Sequence, residues 1–175
     1  MSLHADTDGP FKLRHLGVAD AASYRELRLE GLKSNPEAFG GSFDENASKT
    51  LEWFEDQLKN NMVFGGYTKG GALVGVAGFA VRTAANLRHK GILWGMFVTP
   101  RTRGTGLAKL LTERVIEHAQ SVVEELILTV VASNIPAVKL YKGLGFEEYG
   151  VEPRALKIGS RYHDELLMAF RLRKS

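Results

Sequence analysis

The chain of 175 residues contains no cysteine, which excludes disulfide bonds, thiolate catalysis and cysteine-ligated metal sites. No run of about 18 apolar residues occurs, so no membrane-spanning helix is predicted. The polar, acidic N-terminus does not resemble a signal peptide. The net charge of +3 is mild, and the basic residues are not interleaved with aromatic residues as on nucleic-acid-binding surfaces. We therefore predict a cytoplasmic protein that binds neither membrane nor nucleic acid and holds no metal.

Length and apolar periodicity predict a single mixed α/β domain over residues 11–175, preceded by a disordered leader over residues 1–10. The element order is β-α-α-β-β-β-α-β-α-β-β. Strands are predicted over residues 11–16, 62–68, 72–83, 91–98, 125–131, 146–151 and 165–172. Helices are predicted over residues 20–33, 48–59 and 107–119 and between Asn134 and Gly145. We expect a loop over residues 37–48 and a turn over residues 151–163.

The turn between the strand over residues 91–98 and the helix at Leu107 is the most informative segment. A glycine-containing turn that opens a helix directs backbone N–H groups and the positive end of the helix dipole at one spot, which suits a phosphate. A dinucleotide-binding fingerprint fails because Lys109 replaces the third glycine or alanine. A Walker A loop fails because neither glycine is followed by lysine and then serine or threonine. The run Arg103-Gly104-Thr105-Gly106-Leu107-Ala108 fits Arg/Gln-x-x-Gly-x-Gly/Ala.

A second motif follows the next predicted strand. Its pattern is Asn-x-x-Ala-x-x-x-Tyr-x-x-x-Gly-Phe, matched by Asn134, Ala137, Tyr141, Gly145 and Phe146. Both motifs, in this order, resemble those of the GNAT superfamily of N-acetyltransferases, and the resemblance covers roughly residues 11–172. It implies the GNAT fold, an α/β sheet of six or seven strands with about four flanking helices. In that fold the parallel fourth and fifth strands splay apart to admit acetyl-CoA.

The resemblance also implies a role for each motif residue. The backbone of Met96, Phe97 and Val98 would bind the pantetheine arm, and Asn134 and Ala137 would lie beside it. Tyr141 would contact the cofactor and donate a hydrogen bond or proton to the departing sulfur. The pyrophosphate would bind to Arg103, Gly104, Thr105, Gly106, Leu107, Ala108 and Lys109.

The general base and the acceptor pocket are less clearly encoded. Histone-type members of the superfamily carry a glutamate where this chain has Ile92, so a histone-like substrate is disfavoured. The catalytic candidates are Glu45 and Asp164, with Asp44, Glu165 and His89 as alternatives. For the acceptor, aromatic side chains can hold a cationic amine and Arg154 can hold a carboxylate. The candidate acceptor-binding residues are Phe39, Trp53, Arg154 and Tyr162.

Three functions are consistent with these residues. The leading prediction is an acetyl-CoA dependent N-acetyltransferase that acetylates the primary amine of a small molecule or amino-acid derivative by direct attack in a ternary complex. The second is an acetyltransferase for a protein N-terminus or lysine, which predicts an open groove beside Tyr141. The third is a non-catalytic module that senses acyl-CoA. A homodimer is also open, through exposed apolar residues of the last strand.

Overall fold

The computed structural model describes residues 9–172. Most of the expected leader, residues 1–8, lies outside the described residues. The elements are β1 (Phe11–His15), α1 (Ala21–Ser34), α2 (Phe43–Ala47), α3 (Leu51–Asn60), β2 (Met62–Thr68), β3 (Leu73–Val81), β4 (Lys90–Val98), α4 (Leu107–Gln120), β5 (Glu125–Val131), α5 (Ile135–Leu144), β6 (Glu147–Ile158) and β7 (Arg161–Arg171). Within residues 9–172 no helix has both the length and the apolar character required to cross a membrane.

The seven strands form one sheet in the order β1-β2-β3-β4-β5-β7-β6. Neighbouring strands are antiparallel except β4 and β5, which are parallel. This confirms the predicted mixed sheet with a parallel fourth and fifth strand. Apolar side chains of α4 and α5 pack on one face, where Leu111 and Val115 are fully buried. Those of α1 and α3 pack on the other face, around Tyr24 and Phe54.

The parallel pair separates soon after it begins. Only the segment Lys90–Ile92 pairs with β5, opposite Glu125–Ile127. Further along, β4 carries an irregularity opposite Ala77, where Gly95 adopts a left-handed φ of 61°. Such a bulge re-aims a strand and leaves it partly unpaired. Backbone groups of β4 beyond Ile92 that face β5 therefore lack a strand partner and are available to a ligand or water.

The expected loop over residues 37–48 contains the short helix α2, so that interpretation was wrong for residues 43–47. A capping box starts this helix: the Ser42 hydroxyl accepts from the Glu45 N–H at 3.2 Å, and the Glu45 carboxylate accepts from the Ser42 N–H at 3.3 Å. Serine followed three residues later by glutamate is a sequence signal for a helix start. The signal was therefore present in the sequence.

The expected turn over residues 151–163 was also wrong, because β6 and β7 continue as a long hairpin whose turn lies between Ile158 and Arg161. Pro153 and the non-alternating residues around it are unfavourable for a regular strand. A register shift between Glu152 and Leu156 accommodates them, and Arg154 there adopts a left-handed φ of 54°.

Candidate active site

The separation of β4 and β5 opens a cleft of about 810 Å³ that passes through the sheet. Cross-strand partners share a face of a sheet, and the register places Thr129, Val131 and Glu165 on the face covered by α1. Thr129 is exposed although β5 is an interior strand, because β4 has diverged from it there. The cleft is thus lined from α1 on one face and from α5 on the other.

Tyr141 lines the α5 side of the cleft. Its ring is 5% exposed and packs edge-on against Phe146 with centroids 5.7 Å apart. Burial raises the pKa of the Tyr141 hydroxyl well above its usual range, so the group stays protonated at neutral pH. No hydrogen bond among the described residues involves this hydroxyl.

Asn134 and Ala137 line the same side of the cleft, at the start of α5. The Asn134 side chain accepts from the Ala137 N–H at 3.4 Å, which caps the helix. Asparagine is a favoured residue at this position because its oxygen satisfies a free N–H of the first turn. The cap leaves the Asn134 amide donors for other partners.

A pair of carboxylates lines the α1 side. Glu165 of β7 stands directly opposite Glu152 of β6, and both line the cleft. Burial raises the pKa of the Glu165 carboxyl, the neighbouring Glu152 charge raises it further, and a hydrogen bond with the Thr129 side chain lowers it. A carboxylate with a raised pKa is a stronger base than an ordinary surface glutamate.

The glycine-containing turn stands at the carboxyl end of β4, the end at which the gap is open. Gly104 and Gly106 have φ values of 74° and 87°, a conformation that L residues with a Cβ rarely adopt. Within residues 9–172, no atom other than those of the adjacent residues lies within 4 Å of a Cβ built at either position, so the space beside these glycines is open. Gly106 caps α4, a helix of 14 residues. Arg103 donates to the Asn35 side chain at 2.7 Å and thereby fixes the turn to the end of α1.

Some residues predicted for the cofactor and the acceptor lie in the cleft, whereas others lie beside it. Met96 lines the cleft, but the Phe97 side chain is buried against Phe39, with ring centroids 6.2 Å apart. The Val98 side chain packs on the cluster that contains α4. Phe39 is both core and cleft wall, because it is 7% exposed and also lines the cleft.

The two leading candidates for the base, Glu45 and Asp164, do not line the cleft. The Glu45 carboxylate is used in the cap of α2, and the Asp164 carboxylate accepts from the Arg154 N–H at 2.8 Å on the exposed hairpin. Its neighbour Glu165 faces the cleft instead, since successive side chains of a strand point to opposite faces.

Three predicted acceptor residues also lie elsewhere. Trp53 packs edge-on against Phe54 with centroids 4.9 Å apart. Arg154 stacks on the exposed ring of Tyr162, 3.9 Å from its centroid. None of these three side chains lines the cleft.

Among the charged residues of the cleft, the sequence reasoning missed Arg28 and Glu152, as well as Glu37 and Arg82. Arg28 follows Tyr24 by four residues and precedes Leu32 by four, so it lies in the apolar stripe of α1. A charged residue within such a stripe is the signal that would have found it. Glu152 had no local signal, because the face to which it points depends on the register of the β6–β7 hairpin, which shifts between Glu152 and Leu156. Within residues 9–172 no group of three histidine or acidic side chains is arranged to hold a metal.

The parallel strands β4 and β5 separate beside a glycine-containing turn that suits a phosphate, which is the arrangement that the GNAT resemblance implies. The family model described as acetyltransferase (GNAT) family matches residues 29–146, which is more than half of the chain. The chain therefore belongs to the GNAT acetyltransferase family and is an acyltransferase. The family uses acetyl-CoA as co-substrate.

Solved structures show the same fold. A GNAT family acetyltransferase from Streptococcus pneumoniae is 26% identical, with a TM-score of 0.82 over 93% of this chain and 99% of that chain. A phosphinothricin acetyltransferase from Sinorhizobium meliloti, in complex with acetyl-CoA, is 22% identical, with a TM-score of 0.78 over 93% and 89%. A ribosomal-protein-alanine N-acetyltransferase from Brucella melitensis is 23% identical, with a TM-score of 0.77 over 92% and 99%. A search of curated protein sequences finds no match.

Proposed function

We propose that this chain transfers the acetyl group of acetyl-CoA to the primary amine of a small molecule or amino-acid derivative, by direct attack in a ternary complex. One observation carries the proposal. A single cleft through the sheet is lined by a buried, protonated tyrosine on one face and by a carboxylate pair on the other. We further propose that one domain, formed by residues 11–175, does this work.

The residues present fit coenzyme A. The unpaired backbone of β4 beyond Ile92 suits the amide groups of a pantetheine arm. Free space over two left-handed glycines, at the N-terminus of a long helix, suits a pyrophosphate. The cofactor-binding residues of the proposal are Met96, Phe97, Val98, Arg103, Gly104, Thr105, Gly106, Leu107, Ala108, Lys109, Asn134, Ala137 and Tyr141.

Glu165 is the general base of the proposed reaction. An alkyl ammonium with a pKa of about 10.4 is neutral in only about one molecule in 2,000 at pH 7, a cost of about 4–5 kcal/mol. Something must therefore accept the proton before the amine can attack. Glu165 faces the cleft and its pKa is raised, so it can take the proton directly or through one water.

Tyr141 is the proposed hydrogen-bond donor to the leaving sulfur. As the amine nitrogen bonds to the thioester carbonyl carbon, the carbon–sulfur bond would break and the sulfur would leave as a thiolate, which a hydrogen-bond donor held in place beforehand stabilises. Because the Tyr141 pKa is raised by burial, full proton transfer to a thiolate, whose acid has a pKa of about 8.5, is uphill. A hydrogen bond alone lowers the barrier to departure of the thiolate.

The test combines cofactor binding with turnover. Calorimetry measures acetyl-CoA binding, and release of free thiol measures transfer to a panel of small amines, amino acids and peptides. Glu165→Gln is expected to bind acetyl-CoA like the wild type and to lose about 10²- to 10⁴-fold in kcat. Asp164→Asn is the matched control, since its carboxylate lies next in sequence but outside the cleft.

Each alternative has its own outcome. Failure to bind acetyl-CoA would refute the proposal entirely. A large loss in Asp164→Asn, with none in Glu165→Gln, would refute the assignment of the base. Turnover of peptides alone would indicate a protein acetyltransferase. Tight binding of acetyl-CoA with no thiol release from any amine would indicate an acyl-CoA-sensing module.

A further inference from the structure

We propose that Arg28 forms an anion subsite in the cleft, so that the acceptor carries a carboxylate close to its amine, as a free amino acid does. The inference rests on the proposed function, since it defines the acceptor of the same reaction. It replaces the sequence-based assignment of a carboxylate to Arg154, whose guanidinium is occupied outside the cleft.

The Arg28 side chain is held in place by α2. Its Nε donates to the Asn46 side-chain oxygen at 3.0 Å. Asn46 is 7% exposed, and its own amide donates to the Ser42 carbonyl at 2.9 Å. The buried Asn46 amide, which makes two hydrogen bonds, therefore fixes the direction of the Arg28 guanidinium. This reduces the conformational entropy lost when a ligand binds.

The guanidinium lies where the cleft meets the bulge of β4. Its central carbon is 5.6 Å from the Phe39 ring centroid and 5.9 Å from that of Trp94. A Cβ built on Gly95 would come within 3.4 Å of Arg28 Nη1. The terminal nitrogens thus stand beside the part of β4 that has lost its strand partner.

No carboxylate of the described residues forms an ion pair with Arg28. Its contacts are the neutral Asn46, the two aromatic rings and the Tyr24 hydroxyl. A half-buried guanidinium surrounded by neutral groups attracts an anion, and its planar fork matches a carboxylate.

The remaining charges of the cleft suit the other end of such a molecule. Glu152 and Glu165 lie on the same face of the sheet as α1 but belong to the strands β6 and β7, and Glu37 also lines the cleft. Arg82 is the other cation of the lining. A zwitterion fits this arrangement when its ammonium points to the Glu165 side and its carboxylate points to Arg28.

The experiment compares matched acceptors in the wild type and in two variants. Leucine, phenylalanine and glutamine are each offered as the free amino acid and as the C-terminal carboxamide, which keeps the amine and side chain but removes the negative charge. Thiol release gives kcat/KM for each. Calorimetry gives the affinity of the same compounds for the protein saturated with coenzyme A.

The variants are Arg28→Gln and its control Arg25→Gln. Arg25 lies one turn earlier in α1 and also bonds α2, donating to the Ala47 carbonyl at 3.3 Å. Its guanidinium lies near Phe54 and does not line the cleft. The control therefore reproduces the loss of an α1–α2 contact without a change in the cleft.

We expect the wild type to prefer the free amino acids. Arg28→Gln should lower kcat/KM for the acids by about tenfold or more and change that for the amides by less than about threefold. Arg25→Gln should keep the wild-type preference. The preference should disappear from the binding affinities of Arg28→Gln as well.

Equal use of acids and amides by the wild type would overturn the inference, and the acetyltransferase proposal would stand. The amides resemble peptide N-termini, so their preferred use would indicate a protein acceptor and would also overturn it. A parallel loss for acids and amides in Arg28→Gln would show that the residue is only structural. Binding of acetyl-CoA without binding or turnover of any acid or amide would overturn the inference and leave the cofactor assignment intact.

Discussion

Replacement of Tyr141 by phenylalanine tests whether its hydroxyl donates a hydrogen bond to the leaving sulfur, as proposed. The change removes one hydroxyl and keeps the ring that packs against Phe146. A hydrogen bond to a charged group contributes about 1.5–3 kcal/mol, and loss of this amount from the transition state lowers kcat about 10- to 150-fold. The interaction develops only as the thiolate departs, so kcat and kcat/KM should fall together.

The free energy of unfolding should change little in the same variant. The Tyr141 hydroxyl makes no hydrogen bond among the described residues, so its removal breaks none of them. We expect a change in unfolding free energy of less than about 0.5 kcal/mol, measured by urea denaturation. The affinity for acetyl-CoA, measured by calorimetry, should remain within about threefold of the wild type.

Tyr67→Phe is the matched control. The Tyr67 hydroxyl donates to the Asp20 carboxylate at 3.1 Å and accepts from Arg14 at 2.9 Å, and it does not line the cleft. Its loss should cost about 1–2 kcal/mol of stability and leave kcat unchanged. The reasoning fails if Tyr141→Phe keeps kcat within twofold of the wild type. It also fails if Tyr141→Phe loses stability in parallel with activity.

Two further predictions concern the glycine-containing turn before α4 and the proposed base Glu165. Gly106→Ala forces an alanine into a left-handed conformation, which should cost about 1 kcal/mol of stability and weaken calorimetric acetyl-CoA binding several-fold. Gly143→Ala, on α5, places its methyl group more than 4 Å from every described atom outside its own helix backbone and adjacent residues, so it should leave binding unchanged. Glu152→Gln removes the like charge that raises the Glu165 pKa. The pKa should fall, so the acidic limb of the kcat/KM profile, which requires ionised Glu165, should move to lower pH.

Opposite results would contradict these two predictions. Equal acetyl-CoA affinity in Gly106→Ala and the wild type would show that the turn does not form the pyrophosphate site. An acidic limb that stays in place, or moves to higher pH, in Glu152→Gln would show that Glu165 does not control the rate.

The fold and the α5 side of the site could be predicted because their signals are local. The strand predicted over residues 125–131 matches β5, and the helix between Asn134 and Gly145 matches α5. Caps and left-handed glycines reveal helix ends within a few residues. Once those ends are known, one helical face places Asn134, Ala137 and Tyr141 together in the cleft.

The carboxylate side of the cleft depends on long-range register between β5 and β7, which the sequence does not display. Asp164 and Glu165 are adjacent carboxylates, and a shift of one residue exchanges the face to which each points. The residues on either side of Asp164 and Glu165 do not alternate clearly between apolar and polar, so the sequence does not show which carboxylate points to which face of the sheet. The bulge after Glu152 resembles a turn in the sequence, because Pro153 interrupts the strand pattern.

The split between β4 and β5 also determines how well Glu165 can serve as a base. Burial raises its pKa and strengthens it as a base, but the same shift reduces the ionised fraction at neutral pH. The hydrogen bond with Thr129 opposes that shift by stabilising the ionised form. Thr129 is open to the cleft only because β4 has left β5 at this level. In the proposed reaction the gap between β4 and β5 therefore has two effects: it admits the thioester, and it exposes Thr129, whose hydrogen bond favours the ionised form of Glu165.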